Sequence, residues 1–148
     1  MSYLLGLKNV GTQTLVSGAT LNLGDVYRRY CRKNQCGIPV FSTNGTSVTL
    51  QHSGIYHITT TITFSAPTAG NVIFQLADNG VVIPGAIASE TITTATTEVK
   101  TTSIDYYILV DKGCVLNTPT ILAKTISILN SGVGATVSNV VFNVEKVV

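Results

Sequence analysis

The chain has 148 residues, a length typical of one domain, and it is 45% hydrophobic but only 11% charged. Its net charge of +2 excludes the strongly basic surface of a general nucleic-acid binder, and no apolar run reaches the roughly 20 residues of a membrane-spanning helix. Ordinary soluble domains carry about 25% charged residues. The low charge predicts that Thr, Ser and Asn form much of the solvated surface, and that further copies of the chain, or another protein, cover part of it as well.

The N-terminal residues 1–12 show no clear strand pattern. We expect them to form an arm that docks on a neighbouring molecule or a frayed end, followed by a single domain over residues 13–148. Weak period-two patterns, typical of short strands, then occur at residues 13–16, 20–23, 26–32, 38–41 and 47–51.

A basic cluster lies within the third of these segments and just after it, at Arg28, Arg29, Arg32 and Lys33. Strand alternation places Arg28 and Arg32 on one face and Arg29 and Lys33 on the other, so the charge does not collect on one side. Such a cluster is typical of an edge strand whose charges discourage aggregation. Docking onto an acidic protein surface is the second interpretation, and nucleic-acid binding is a distant third.

The clearest strand spans residues 55–64. Its aromatic and aliphatic positions alternate with positions that are mostly threonine, which predicts one buried and one exposed face. The buried set is Tyr56, Ile58, Thr60, Ile62 and Phe64.

A hairpin is predicted at Asn79-Gly80, because both residue types tolerate the positive φ angles of a type I′ turn. Strands are expected on either side of it, over residues 72–76 and 81–83. Further strands are expected over residues 89–93, 99–110, 114–116, 121–129 and 139–147. About ten short strands without a helical segment predict an all-β protein with antiparallel sheets, arranged as a sandwich, a barrel or a jelly roll.

Candidate chemical groups are sparse. His52 and His57 are the only histidines, and the acidic residues are dispersed singly. A pair between His57 and Asp105 across a sheet is conceivable, but a clustered nucleophile and base are lacking. The sequence therefore predicts no enzyme, no cofactor and no metal site within one chain.

The three cysteines are Cys31, Cys36 and Cys114. An odd number argues against the disulfide framework of a small secreted protein. Cys31 and Cys36 are spaced so that they could close a small loop, but reduced thiols are the simpler interpretation.

Several segments resemble the C1q/TNF-like jelly-roll superfamily. Residues 54–58 resemble its Gly-x-Tyr-x-aliphatic strand, residues 108–116 its aliphatic strand with a tight glycine turn, and residues 140–147 its last strand. Residues 12–21 and 66–72 are most similar to the bacterial and bacteriophage branch. That branch includes small phage virion proteins and the C-terminal domains of spore-surface collagen-like glycoproteins. The resemblance implies an antiparallel jelly-roll sandwich of about ten strands.

The same resemblance implies a homotrimer that acts as a structural or binding module of a phage virion, made in the bacterial cytoplasm and displayed on a capsid or tail. Its partners would be copies of itself and other virion proteins or a cell-surface glycan. A glycan- or receptor-binding module and a spore-surface protein are the alternatives. Three copies of His57 on a three-fold axis could bind an ion. Residues expected in the core or in the trimer interface are Tyr56, Ile58, Phe64, Tyr106, Tyr107 and Phe142.

Overall fold

The computed structural model describes residues 3–30, 39–115 and 118–148. Within these ranges no helix is long and apolar enough to cross a membrane. The same ranges form thirteen strands: β1 Tyr3–Asn9, β2 Gln13–Leu15, β3 Asp25–Tyr30, β4 Phe41–Thr43, β5 Val48–Leu50, β6 Gly54–Ser65, β7 Gly70–Asp78, β8 Val81–Ile92, β9 Lys100–Val110, β10 Lys112–Val115, β11 Thr118–Ile121, β12 Lys124–Asn130 and β13 Ala135–Lys146.

Two antiparallel sheets form a sandwich. The six-stranded sheet has the order β3-β1-β13-β6-β9, and β2 also pairs with β13. The five-stranded sheet has the order β4-β5-β12-β7-β8, and β10 and β11 form a separate hairpin. The prediction of an all-β antiparallel sandwich is confirmed.

The core lies between the two sheets, and β6 contributes Tyr56 and Phe64, two of the five buried aromatic side chains in the described ranges. Alternate positions of β6 are buried, namely Tyr56, Ile58, Thr60, Ile62 and Phe64. Thr59, Thr61 and Thr63, which lie between them, are not buried. Phe64 packs edge-to-face against Phe74 of β7 with ring centres 5.3 Å apart, and Tyr56 packs the same way against Phe41 of β4 at 5.9 Å. These aromatic contacts join the two sheets, because β4 and β7 belong to the sheet that faces β6.

The N-terminal segment corrects the expectation of an arm or a frayed end. Residues Tyr3–Asn9 form strand β1, which is hydrogen-bonded to β13 on one side and to β3 on the other. Leu5 and Leu7 are fully buried. The alternation of apolar and polar residues that indicates a strand is not visible here. The outward position between these leucines is Gly6, which is not a polar residue.

Four other expected strands differ from those observed. Residues 20–23 form only a single bridge, from Thr20 to Leu129. The strands expected at 81–83 and 89–93 are one strand, β8, which bulges opposite residues 75–77 of β7 around Pro84 and Gly85. Proline is tolerated there because β8 is an edge strand, and Gly85 supplies a φ of 87°. The strand expected at 121–129 is divided between β11 and β12.

Replacing Phe64 tests the assigned faces of β6. Phe64→Ala should lower the free energy of unfolding by about 3–5 kcal/mol, because it removes a fully buried ring and its contact with Phe74. Thr61→Ala, on the exposed face of the same strand, should change it by less than about 0.5 kcal/mol. Urea denaturation at one fixed protein concentration measures both, and equal losses would mean that the faces are reversed.

Replacing Gly80 tests the hairpin turn. Asn79 has φ 49° and Gly80 has φ 83°, as the predicted type I′ turn requires, and no atom lies within 4 Å of a Cβ added at Gly80. Gly80→Val should therefore destabilise the fold through backbone strain alone, by about 1–2 kcal/mol. Gly80→Asn is the control, since asparagine tolerates this region and should cost less. Identical melting temperatures for the two variants would contradict the assignment.

Candidate interaction surface

The face of the six-stranded sheet that points away from the core is called the outer face here. All six tyrosines of the chain lie in strands of this sheet. Burial of one face fixes the register between adjacent strands. Each outward residue of one strand therefore lies beside an outward residue of the next. The outer face comprises Gly6, Lys8, His57, Thr59, Thr61, Thr63, Thr101, Ser103, Asp105, Tyr107, Leu109, Val141, Asn143 and Glu145.

Tyr27 of β3 extends across this face. A Cβ placed on Gly6 would lie 2.8 Å from the Tyr27 ring, so the ring covers that glycine directly. The Tyr27 hydroxyl continues to β13 and donates a hydrogen bond of 2.6 Å to Asn143 Oδ1. The ammonium group of Lys8 lies 5.6 Å from the ring centre, a cation–π distance. The absence of a side chain at Gly6 thus lets one tyrosine link three strands.

A second cluster forms at the other end of the sheet. His57 of β6 lies opposite Tyr107 of β9 and opposite Glu145 of β13. Its Nε2 atom is 2.5 Å from Asp105 Oδ1, and its ring stacks on Tyr107 with centres 4.4 Å apart. The carboxylate and the stacked ring fix the orientation of the imidazole. Within the described ranges Asp105 is the one hydrogen-bond partner of His57, so no nucleophilic side chain there is hydrogen-bonded to the imidazole as a catalytic base would require. The cluster is therefore described as a polar and aromatic surface.

A groove of about 760 Å³ runs between the edge strands β8 and β9. Tyr106 is half-buried in it, whereas Val81, Tyr107, Leu109 and Leu122 are more than half exposed. Lys124 and Asp78 form an ion pair of 3.8 Å at one end, and Asp111 also lines the groove. The sequence analysis did not predict this groove. Pro84-Gly85 is the one local signal for it, because this pair is typical of a bulge and the bulge of β8 forms part of the groove wall.

Four of the residues expected in the core or the trimer interface are fully buried in the protomer: Tyr56, Ile58, Phe64 and Phe142. They belong to the core, and only Tyr106 and Tyr107 of that set reach the surface. The Tyr56 hydroxyl donates to the carbonyl oxygen of His52 at 2.6 Å, and burial raises the pKa of Tyr56 to about 12.

The basic cluster is only partly described. Arg28 and Arg29 are exposed on β3, and neither forms an ion pair with another described residue. Arg32, Lys33, Cys31 and Cys36 lie outside the described residues. The backbone of Cys114 lies in β10. Across residues 3–30, 39–115 and 118–148 no group of three or more His, Cys, Asp or Glu side chains is placed to bind a metal ion.

Known structures share this arrangement of sheets. The globular domain of zebrafish complement 1qA superposes with a TM-score of 0.56 at 10% identity, over 96% of this chain and 94% of that chain. Murine APRIL gives 0.58 at 14% identity, over 99% and 100%. The fold is that of the C1q and TNF jelly rolls. The Eiger TNF of S. frugiperda is also similar, with a TM-score of 0.50 at 12% identity, over 100% and 92% of the two chains. No family model and no curated protein matches the sequence.

The contact between Gly6 and Tyr27 can be tested by a double-mutant cycle. Gly6→Ala should displace the Tyr27 ring and break its hydrogen bond with Asn143, at a loss of about 1 kcal/mol of unfolding free energy. In a Tyr27→Ala background the same change should cost less, because the ring is absent and the remaining close atom, Asn143 Oδ1 at 2.8 Å from the added Cβ, ends a side chain that can rotate away. Urea denaturation of the four proteins gives the coupling energy. Additive effects would show that Tyr27 does not cover Gly6 in solution.

Proposed function

We propose that the chain is a self-associating structural module that forms a homotrimer by packing its outer face around a three-fold axis, and that it is displayed on the surface of a phage virion. In this proposal the domain presents a surface and binds partners, and it performs no catalysis. The arrangement of side chains on the outer face carries the proposal.

Polar groups on the outer face already bond to one another. Tyr27 donates to Asn143, His57 pairs with Asp105, and the hydroxyls of Thr63 and Thr101 are 3.1 Å apart. Burial of a polar group is costly chiefly when it lacks a hydrogen-bond partner. A second molecule can therefore cover these groups without leaving them unsatisfied. This property suits an interface between copies of a chain with few charges.

Apolar area on the same face supplies a driving force for association. Tyr107 and Leu109 are 59% and 56% exposed in the protomer. Burial of apolar surface contributes about 25 cal/mol per Å², and interfaces of obligate oligomers are correspondingly apolar. On the five-stranded sheet the exposed aliphatic residues of β8 are Val81, beside the groove, and Ile87, at 72% and 48%. Polar residues at positions of its other strands that are not buried include Ser42, Thr49, Gln75 and Thr125.

The second part of the proposal is that the trimer is displayed on the surface of a phage virion. It rests on the resemblance of residues 12–21 and 66–72 to the bacteriophage branch, together with the low charge of the chain. Immunogold labelling of purified virions tests it directly, and labelled particles are expected. Unlabelled virions combined with specific binding on a glycan array would instead favour a lectin-like module that uses the stacked rings of His57 and Tyr107.

Light scattering coupled to size-exclusion chromatography tests the assembly. The protein should elute with a mass near three times 15.6 kDa and keep that mass on dilution to low micromolar concentration. Leu109→Lys should reduce the mass to that of a monomer, since it places a positive charge in the apolar part of the outer face. Ile87→Lys is the matched control, because Ile87 is similarly exposed, at 48%, on the other sheet. A wild-type monomer at high concentration would refute the trimer.

A further inference from the structure

The two edges of the six-stranded sheet carry opposite charge. At one edge, β1 and β3 carry three cationic residues, Lys8, Arg28 and Arg29, and one acidic residue, Asp25. At the other edge, β9 carries Asp105 at an outward position. Lys100, at the far end of β9, lies within 4 Å of both Glu90 and Glu98. The four charged residues of the first edge have a net charge of +2 and the four at β9 and beside it a net charge of −2, so the sheet is cationic along β3 and anionic along β9.

Apolar side chains accompany both sets of charges. Val26, Tyr27 and Tyr30 of β3 are exposed, and Tyr30 is 60% exposed. On the opposite edge, Tyr107 and Leu109 are exposed beside the groove between β8 and β9. Each edge thus has the composition of one half of an interface, in which aromatic and aliphatic contacts are flanked by charge.

A three-fold ring requires two different patches that fit each other. In cyclic assemblies with more than two members every interface is heterologous, so one surface of a molecule meets a different surface of the next. The edges β3 and β9 lie at opposite ends of the sheet, so three molecules that turn their outer faces toward a common axis can each place one edge against the unlike edge of the next. Their opposite charges also disfavour the contact of like edges.

We propose that copies of the chain associate head to tail, with the cationic edge of one copy, formed by Arg28, Arg29 and Tyr30, docked on the anionic edge of the next, formed by Asp105, Tyr107 and Leu109. The inference rests on the proposed self-association and specifies which residues meet across the interface. The acidic protein surface that the basic cluster recognises is then a second copy of this chain.

The polar atoms of both edges are suited to this contact. Arg28 and Arg29 make no ion pair within the described part of the chain, so both guanidinium groups are available to a neighbour. Asp105 uses Oδ1 for His57 and is 66% exposed, which leaves Oδ2 accessible. A guanidinium group binds carboxylate oxygens with directional hydrogen bonds, so it can select one register. His57 and Tyr107 hold the carboxylate in place for it.

Charge reversal tests the contact. Arg28→Glu with Arg29→Glu should raise the dissociation constant of the trimer at least about tenfold, and Asp105→Lys should do likewise, because like charges then meet. The chain that carries all three changes should recover most of the wild-type affinity. In its trimer the glutamates at positions 28 and 29 of one copy face the lysine at position 105 of the next, so opposite charges meet at every interface. Arg28→Lys with Arg29→Lys is the matched control, which keeps the charge and should remain trimeric. Sedimentation equilibrium measures the dissociation constants, and circular dichroism checks that each variant folds.

The possible outcomes separate this inference from the proposed function. A trimeric wild type whose affinity is unchanged by both reversals would overturn the head-to-tail contact while the trimer stands. Additive losses in the combined variant would overturn it as well, because they would show that the two edges do not meet. A monomeric wild type would refute the trimer, and the contact with it.

Discussion

Burial of one face of β6 is the constraint on which the rest of the structure depends. Tyr56 and Phe64 on that face contact aromatic rings of the opposite sheet, so they fix both the spacing of the sheets and the register of β6. Side chains alternate along a strand, and a slip by one residue would exchange its two faces. With Phe64 inside, His57, Thr59, Thr61 and Thr63 must point outward. The composition of the outer face is therefore a consequence of the core.

The position of each strand in the sheet determines which side chains of the outer face contact one another. β6 lies between β13 and β9, so an outward residue of β6 has a neighbour on each side. His57 gains Asp105 and Tyr107 from β9 in this way, and Thr63 gains Thr101. Such cross-strand pairs stabilise the sheet modestly, and they also satisfy polar groups in advance of any interface. A chain with few charges and many hydroxyl groups can thus build a surface that is both soluble and easily covered.

Sequence periodicity predicted those parts of the fold that depend on local pattern. The alternation in β6 and the Asn79-Gly80 turn between β7 and β8 were both confirmed, because each depends on neighbouring residues only. Strand β1 was missed, since the group that covers Gly6 is Tyr27, which lies on another strand. The bulge around Pro84 joined two expected strands into β8, because an edge strand tolerates a proline that a central strand would not.

The residues of the candidate surface could be named from the sequence, but their contacts could not, because these depend on the order of the strands in the sheet. His57 and Asp105 are 48 residues apart, and only the pairing of β6 with β9 brings them together. Periodicity shows that each is outward on its strand, but it does not show which strands are neighbours. The groove beside Leu109 depends on contact between strands of different sheets, which has no local signal in the sequence. Composition predicts that part of the surface is covered, because the charge is low, but it does not say which part.

Edge strands connect these observations to assembly. A sheet that ends in β3 on one side and β9 on the other exposes unpaired backbone groups along both, and such edges invite uncontrolled pairing between molecules. The arginines on β3 oppose contact between two β3 edges, and Asp105 opposes contact between two β9 edges, through repulsion of like charges. Contact between unlike edges is the favourable combination that remains. When such contacts close a ring, both edges are covered and no growing end is left, whereas an open chain of the same contacts would form a fibre. In the proposed trimer, the charges that disfavour contact between like edges would also select the contact between unlike edges, and the angle between successive molecules would close the ring.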